Sequence, residues 1–557
     1  MNKKMFFILI TIVIILSLSI LLYINRQNNS LPITEDSIEK VEDHSPSLLL
    51  EQTFTLAKEG KVINSPFIAG KTSLDEVIEL WGNPKSIDSA PVGDYADYLT
   101  NQVTIGTVQS IVVDVRSYQS ELSSIHFKDI EAFAGKPDKT TYYKDETNDQ
   151  IILIYAVNST YQLKWILSRP TKSNQNPKVD HISVLAQNDI EKQHMNNLIS
   201  EMTLDEKIGQ MIFTGISGNT LNQENLRLIN EYKVGGIIFY KENIVSTEKI
   251  LQLLNNIKTI NENNDFPLFL GIDEEGGRIS RLPKEIIPIP SSQKISESND
   301  VFFAHDIGKI LGKELSTFGF NLNFAPVLDV NSNPNNPIIG DRSFGESPEV
   351  VSSFGIETMK GLQSENIISV VKHFPGHGDT DIDSHLALPV VNKSLDQLYE
   401  LELIPFKNAI AEGTDMVMVA HILLPKIDST FPSSMSKEII TGILREQLKF
   451  DGVVITDDLT MKAITNNYTI EKAAVYSVKA GSDIILIAHD YQNVASSFQA
   501  LKKAVENGEI SEEKINESVS RILQLKEKYK IDNSEVNKVD IKKLNQAIKN
   551  VLYKYNS

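Results

Sequence analysis

The stretch from Ile367 to His385, I-I-S-V-V-K-H-F-P-G-H-G-D-T-D-I-D-S-H, decides how this chain is expected to fold. Ile367 to Val371 is an apolar run of strand length, and the Gly- and Pro-punctuated segment after it reads as a loop. In α/β folds such a loop stands at the carboxyl end of a strand, where working groups collect. This one carries His373, His377 and His385 together with Asp379, Asp381 and Asp383. Mixed imidazole and carboxylate at short spacing suits metal ligation. It equally suits a general acid/base histidine whose ring a carboxylate orients. A plain solvated loop is the third reading.

Outward from this stretch, strand-like and helix-like runs alternate from about Asp189. Strands are expected at Gln210–Thr214, Gly235–Phe239, Leu268–Ile272, Leu322–Val327, Ile368–Lys372, Met416–Ala420, Gly452–Ile455 and Asp483–Ile487. Amphipathic runs of 3.6-residue period lie between them, as at Val301–Thr317, Glu349–Gln363 and Leu395–Ala411. The fold class is therefore α/β. Eight strand–helix units over about 300 residues predict a (β/α)8 barrel of the TIM type rather than an open doubly wound sheet. No G-x-G-x-x-G opens any helix, so the dinucleotide signature is missing.

Polar motifs follow the expected strand ends. D-E-E-G-G-R-I-S-R runs from Asp273 to Arg281, and Asp329 is followed by D-R-S-F-G at Asp341–Gly345. His421, I-T-D-D-L-T-M at Ile455–Met461 and His489 come after the last three strands. A closed barrel brings all of these to one mouth.

In this order the four motifs resemble bacterial glycoside hydrolase family 3, in its β-N-acetylglucosaminidase branch, across roughly Ile199 to Tyr529. The resemblance implies that Asp457 is the nucleophile, His385 the acid/base and Asp383 its partner. It also implies sugar contacts from Asp273, Arg281, Arg342, Lys372 and His373, with no metal and no cofactor. A retaining glycosidase needs a carboxylate and a proton donor about 5–5.5 Å apart on opposite faces of the anomeric carbon. Many members supply the donor as a Glu from a second domain. About 70 residues follow the eighth strand here, too few for that domain, so the donor is expected within the barrel.

Other roles compete at several positions. Asp457 could be a helix N-cap, and Asp273 with Arg281 a structural ion pair. His377 and Asp379 are expected to brace the loop, and His421 and His489 to line the pocket. A phosphorylase of the same family, a metal-dependent hydrolase and a non-catalytic wall-binding protein are the rival functions. The implied substrate is an amino sugar, terminal β-linked N-acetylglucosamine of cell-wall fragments (muropeptides).

Composition bounds the rest. The chain has 557 residues, 41% hydrophobic and 23% charged, enough for two or more globular units. Its net charge of -19 argues against nucleic acid as a partner, and with no cysteine there is no disulfide or thiolate site. Lys3 and Lys4 precede an apolar run from Met5 to Ile24, about long enough to span a bilayer. An uncleaved membrane anchor with the remainder outside the cytoplasm is expected, or a secreted protein if the segment is cleaved. Residues 1–27 are then tip and anchor, 28–47 a polar linker, 48–188 a small α+β accessory domain, 189–532 the barrel and 533–557 a polar helix, in a monomer. Within 48–188, W-G-N-P-K at Trp81–Lys85 and A-G-K-P-D at Ala134–Asp138 each end a short amphipathic helix, predicting a two-fold repeat of helix and strands. This region resembles small two-repeat domains of exported bacterial proteins.

Overall fold

The computed structural model describes residues 45–555 except 91–92, 109 and 145–147. The expected anchor, Met5–Ile24, lies outside the described residues. Among the described residues no helix is long and apolar enough to cross a membrane. The chain divides into two compact units after Ile190.

The first unit is one antiparallel sheet of eight strands: β1 Ser86–Ala90, β2 Gly93–Tyr98, β3 Val103–Val108, β4 Ile111–Ser117, β5 Lys139–Lys144, β6 Asp149–Ala156, β7 Tyr161–Ser168 and β8 Val179–Ala186. Their order is β1-β2-β3-β4-β8-β7-β6-β5, so two four-stranded halves meet at the β4–β8 pair. A helix opens each half, Leu74–Trp81 before β1 and Phe127–Ala134 before β5. Both start alike, because Glu76 accepts from the Ser73 N–H at 2.7 Å and Asp129 from the His126 N–H at 2.8 Å. Both stop at a glycine of positive φ, Gly82 and Gly135, where a side chain would be strained. Val77 and Ile130 from these helices join Trp165, Ile105 and Leu163 of the sheet in one core.

The second unit is a closed barrel of eight parallel strands: β9 Ile212–Gly215, β10 Gly236–Phe239, β11 Phe269–Ile272, β12 Leu322–Asn323, β13 Ile368–Phe374, β14 Met416–Val419, β15 Val453–Asp458 and β16 Ile484–Ile487. All eight coincide with expected strands. The fourth is shorter than expected: its ladder ends at Asn323, and pairing with β13 resumes only as a single bridge between Val327 and Lys372. Phe213 fills the barrel interior, where a Cβ on Gly236 would meet its ring at 2.5 Å and one on Gly271 at 3.0 Å. Four-residue strands buried throughout are what a parallel sheet under a ring of helices requires. The C-terminal segment is a helix with one apolar edge. Ile541–Tyr555 is helical, but Leu544 and Ile548 are buried in the barrel's core cluster.

Candidate active site

The carboxyl ends of β11, β12 and β13 are joined by a chain of charged contacts. Lys372 Nζ lies 2.6 Å from Asp273 Oδ1 and 2.7 Å from Glu275 Oε1. Arg342, on the turn Gly340–Arg342, donates to both Glu275 oxygens at 2.8 Å. Its guanidinium also stands 3.5 Å from His373 Nε2, while His373 Nδ1 lies 2.6 Å from Asp329 Oδ2. Asp329 is fully buried and takes the His377 N–H at 2.6 Å on its other oxygen.

The electrostatics follow from burial opposed by neighbours. Burial works to raise the Glu275 carboxyl, but Arg342 and Lys372 hold it far below the usual range. Burial works to lower Lys372, and Asp273 and Glu275 overrule it, so the ammonium stays charged. Asp329 is pushed up by burial and pulled further down by His373. A carboxylate on His373 Nδ1 fixes the proton there and leaves Nε2 toward the pocket. Asp273, Lys372, His373 and Arg342, the implied sugar contacts, therefore stand in one network. Arg281 stands apart: among the described residues it forms no ion pair with Asp273, whose partner is Lys372, and its charge acts on Glu274, which also takes its backbone N–H at 2.8 Å. Glu275 and Asp329 were not among the expected site residues. Both lie inside the polar runs after β11 and β12, and only the tertiary pairing shows that Glu275 neutralises Lys372 and Arg342 while Asp329 holds the His373 ring.

Asp457 ends β15. Its carboxylate accepts the Asp458 N–H at 2.8 Å, and the next helix, Lys462–Thr465, is capped at Met461. Asp457 is therefore not an N-cap. Asp458 holds the turn instead, taking Thr460 N–H at 2.9 Å, Ala488 N–H at 3.0 Å and the Thr460 hydroxyl at 2.6 Å. Burial pushes Asp457 up, yet the rings of His421 and His373, with the Asp458 N–H, bring it below an ordinary aspartate. It is ionised at neutral pH. His421 departs from the expected pocket-lining role. It is fully buried beneath the turn, with Nε2 2.9 Å from the Asp458 carbonyl and Nδ1 2.7 Å from Ser434 Oγ. A carbonyl only accepts, so Nε2 carries the proton. His489 is exposed and stacks obliquely on Tyr240, centroids 5.2 Å apart.

The loop after β13 is held from several sides. A Cβ on Gly378 would lie 1.7 Å from the Val330 carbonyl oxygen, so the backbone runs against its neighbour. Asn336 donates to the carbonyls of His377 at 2.8 Å and Gly378 at 3.1 Å. His377 braces from inside. Its Nδ1 donates to Thr380 Oγ1 at 2.8 Å, since that hydroxyl gives its own hydrogen to the His377 carbonyl, and its Nε2 accepts from Ser384 Oγ at 3.2 Å. Burial, with the His373 ring adding, lowers His377 to about 4. Asp379 pairs with Lys393 at 3.0 Å. Beyond these braces, His385 is 66% exposed, with Nδ1 2.8 Å from Asp383 Oδ1. Each histidine thus serves a different partner, and among the described residues no three His, Asp or Glu converge as metal ligands.

Comparison with known proteins places this arrangement. Residues 203–525 match the glycosyl hydrolase family 3 N terminal domain, and residues 50–185 match a domain of unknown function, DUF4309. Beta-hexosaminidase A of Pseudoalteromonas piscicida is 36% identical over 334 residues, 56% of this chain and 56% of that protein, so the chain spans little over half the length of that relative. Beta-hexosaminidase of Neisseria meningitidis serogroup C is 34% identical over 286 residues, 50% of this chain and 78% of that protein. A solved glycoside hydrolase family 3 beta-N-acetylglucosaminidase from Paenibacillus sp. str. FPU-7 superposes with a TM-score of 0.60 at 39% identity, covering 64% of this chain and 69% of that one. With eight parallel strands, the charged network at their carboxyl ends and these matches, the chain belongs to glycosyl hydrolase family 3 and, within it, to the β-N-acetylhexosaminidase type.

Proposed function

We propose that the chain is a retaining, exo-acting β-N-acetylglucosaminidase that removes terminal β-linked N-acetylglucosamine through a covalent glycosyl-enzyme. The carrying observation is Asp457: a half-buried, ionised carboxylate near the end of β15 that, among the described residues, accepts one backbone N–H and feels the charge of His385 on the loop it shares with Asp383. Asp457 attacks the anomeric carbon while His385 Nε2 protonates the leaving oxygen. Asp383 holds Nδ1–H and stabilises the imidazolium that gives this proton, and the neutral imidazole left behind takes a proton from the attacking water in the second step. Asp273, Lys372, Arg342 and His373 bind the sugar hydroxyls, with Glu275 and Asp329 keeping the cations and the His373 tautomer in place. His385 faces solvent, so the loop must carry it to the glycosidic oxygen.

Peptidoglycan fragments as substrate, and a site outside the cytoplasm, are part of the same proposal. The second rests on the Met5–Ile24 apolar run alone. Intact-mass analysis with a fluorinated, slow-turnover N-acetylglucosaminide tests the mechanism: one sugar is expected on Asp457, and none in Asp457→Asn. No adduct together with strong inhibition by a thiazoline would instead mean a substrate-assisted reaction. Release of a sugar 1-phosphate in phosphate buffer would mean a phosphorylase.

A further inference from the structure

The eight-stranded sheet of the first unit has one face covered by its own helices and one that they leave open. Ala96, Ile105, Val115, Val184 and Leu163 point into the core with Leu50, Val77 and Ile130 of the helices. Strand alternation sends Tyr95, Asp114, Arg116, Ser183 and Lys164 to the other face. The register sets them side by side. Arg116 lies opposite both Thr104 and Ser183, Lys164 opposite Ser183, and Asp114 and Tyr95 flank Gly106.

These side chains are locked together. Asp114, 2% exposed, takes the Ser183 hydroxyl at 2.7 Å and Arg116 Nε at 2.9 Å. The Arg116 guanidinium carbon sits 4.2 Å from the Tyr95 ring centre. Gly106 makes room for that ring, since a Cβ there would meet Tyr95 Cε1 at 2.8 Å and Asp114 Cβ at 2.9 Å. Beside them Tyr118 stacks on His181, centroids 4.5 Å apart and 25° between planes. Tyr118 remains 40% exposed, so part of its ring is open to solvent. Asp114 is buried, but a third of the Arg116 side chain is exposed, and a pair so exposed adds little to the sheet's own stability.

From this juxtaposition of a fixed Asp114–Arg116 pair, two tyrosine rings and a glycine floor, we infer that the open face of the sheet is a carbohydrate-binding surface for a neutral β-linked glycan. The charge balance selects that ligand. By register the charged side chains described on this face are Asp88, Asp97, Asp114, Arg116, Lys139 and Lys164, three of each sign, with Asp180 added against the His181 ring, so the surface is not basic. A nucleic acid or phosphate polymer needs a net basic surface. A pyranose instead offers an apolar face for a ring to stack on and hydroxyls for preorganised donors and acceptors. The inference rests on the proposed activity for its choice of glycan: such a surface would hold the polymer whose free ends the barrel trims.

The test uses the full chain in detergent with Asp457→Asn to stop turnover, sedimented with insoluble peptidoglycan sacculi that are either intact or acid-stripped of phosphate polymers. Retention on stripped sacculi is expected, with Tyr118→Ala and Arg116→Ala each weakening it about tenfold, as the loss of one stacked or bidentate contact implies. Tyr118→Phe should retain binding. Gly106→Val, which displaces Tyr95, should lose it, with near-ultraviolet circular dichroism of each variant reporting the fold. In chains that keep Asp457, Tyr118→Ala and Arg116→Ala should leave kcat/KM on a small aryl N-acetylglucosaminide within about twofold. Absent retention, retention indifferent to Tyr118 and Arg116, or retention only on unstripped sacculi would overturn the inference. Failure of the parent to cleave the aryl glycoside would instead sink the catalytic reading, leaving retention as an independent result.

Discussion

The N–H of Ala463 donates to the carbonyl of Ser384 at 3.1 Å, tying the histidine loop after β13 to the segment that follows Asp457 on β15. Ser384 is buried and immediately precedes the exposed His385. The proposed donor and the proposed nucleophile thus belong to loops that share a hydrogen bond, although they leave the barrel two strands apart.

His385→Ala should therefore lose about 10²–10⁴-fold in kcat/KM on a sugar leaving group, the usual worth of general acid catalysis. With an activated aryl leaving group the glycosylation burst should lose far less, because little protonation is needed. Asp383→Ala should follow the same pattern more mildly. Stopped-flow bursts on both substrates decide it, and equal impairment of the burst on each would make His385 a binding residue.

Gly378→Ala brings a Cβ against the Val330 carbonyl oxygen, backbone that cannot rotate away. We expect a cost of about 1–3 kcal/mol, typical of overpacking. Urea denaturation should show it as a lower midpoint at unchanged slope. Turnover should fall as well, since the loop bearing His385 starts there.

Glu275→Gln leaves Lys372 and Arg342 buried with half their neutralising charge gone. Breaking a buried ion network of this kind costs about 3–5 kcal/mol. The expected result is a lower melting temperature together with a raised KM, because two cations proposed to bind the sugar lose their anchor. An unchanged melting temperature would place Glu275 outside the framework.

His377 is held neutral, its pKa lowered from 6.5 to about 4. Above pH 6.5 it is neutral folded or unfolded and contributes no slope. Between 6.5 and 4 the unfolded chain takes up a proton that the folded chain refuses, so stability falls as pH falls, by about 3 kcal/mol in all. His377→Gln should flatten the acid limb of the stability–pH curve measured by denaturant titration.

Much of this was legible in the chain. Eight apolar runs between 3.6-period segments gave the barrel, since burial by helices on every side leaves a parallel strand no polar alternation to hide behind. The motifs at their ends named Asp457, the His385–Asp383 pair and four residues of the charged network. The two G-x-P stops marked the repeat of the first unit, because helix caps are local chemistry.

Pairing between distant segments was not legible. Asp273 reads as a partner for Arg281 eight residues away, yet the fold gives it Lys372 from β13. His421 reads as pocket lining, yet barrel closure buries it beneath the Asp458 turn. The sequence by itself determined the elements, their order and the reactive groups at their ends, because propensity, capping and hydrophobic period act over a few residues. Only the tertiary structure decided which charges neutralise one another, which histidines are braces and which face of the first sheet stays open, because those depend on distances between residues that the chain holds far apart.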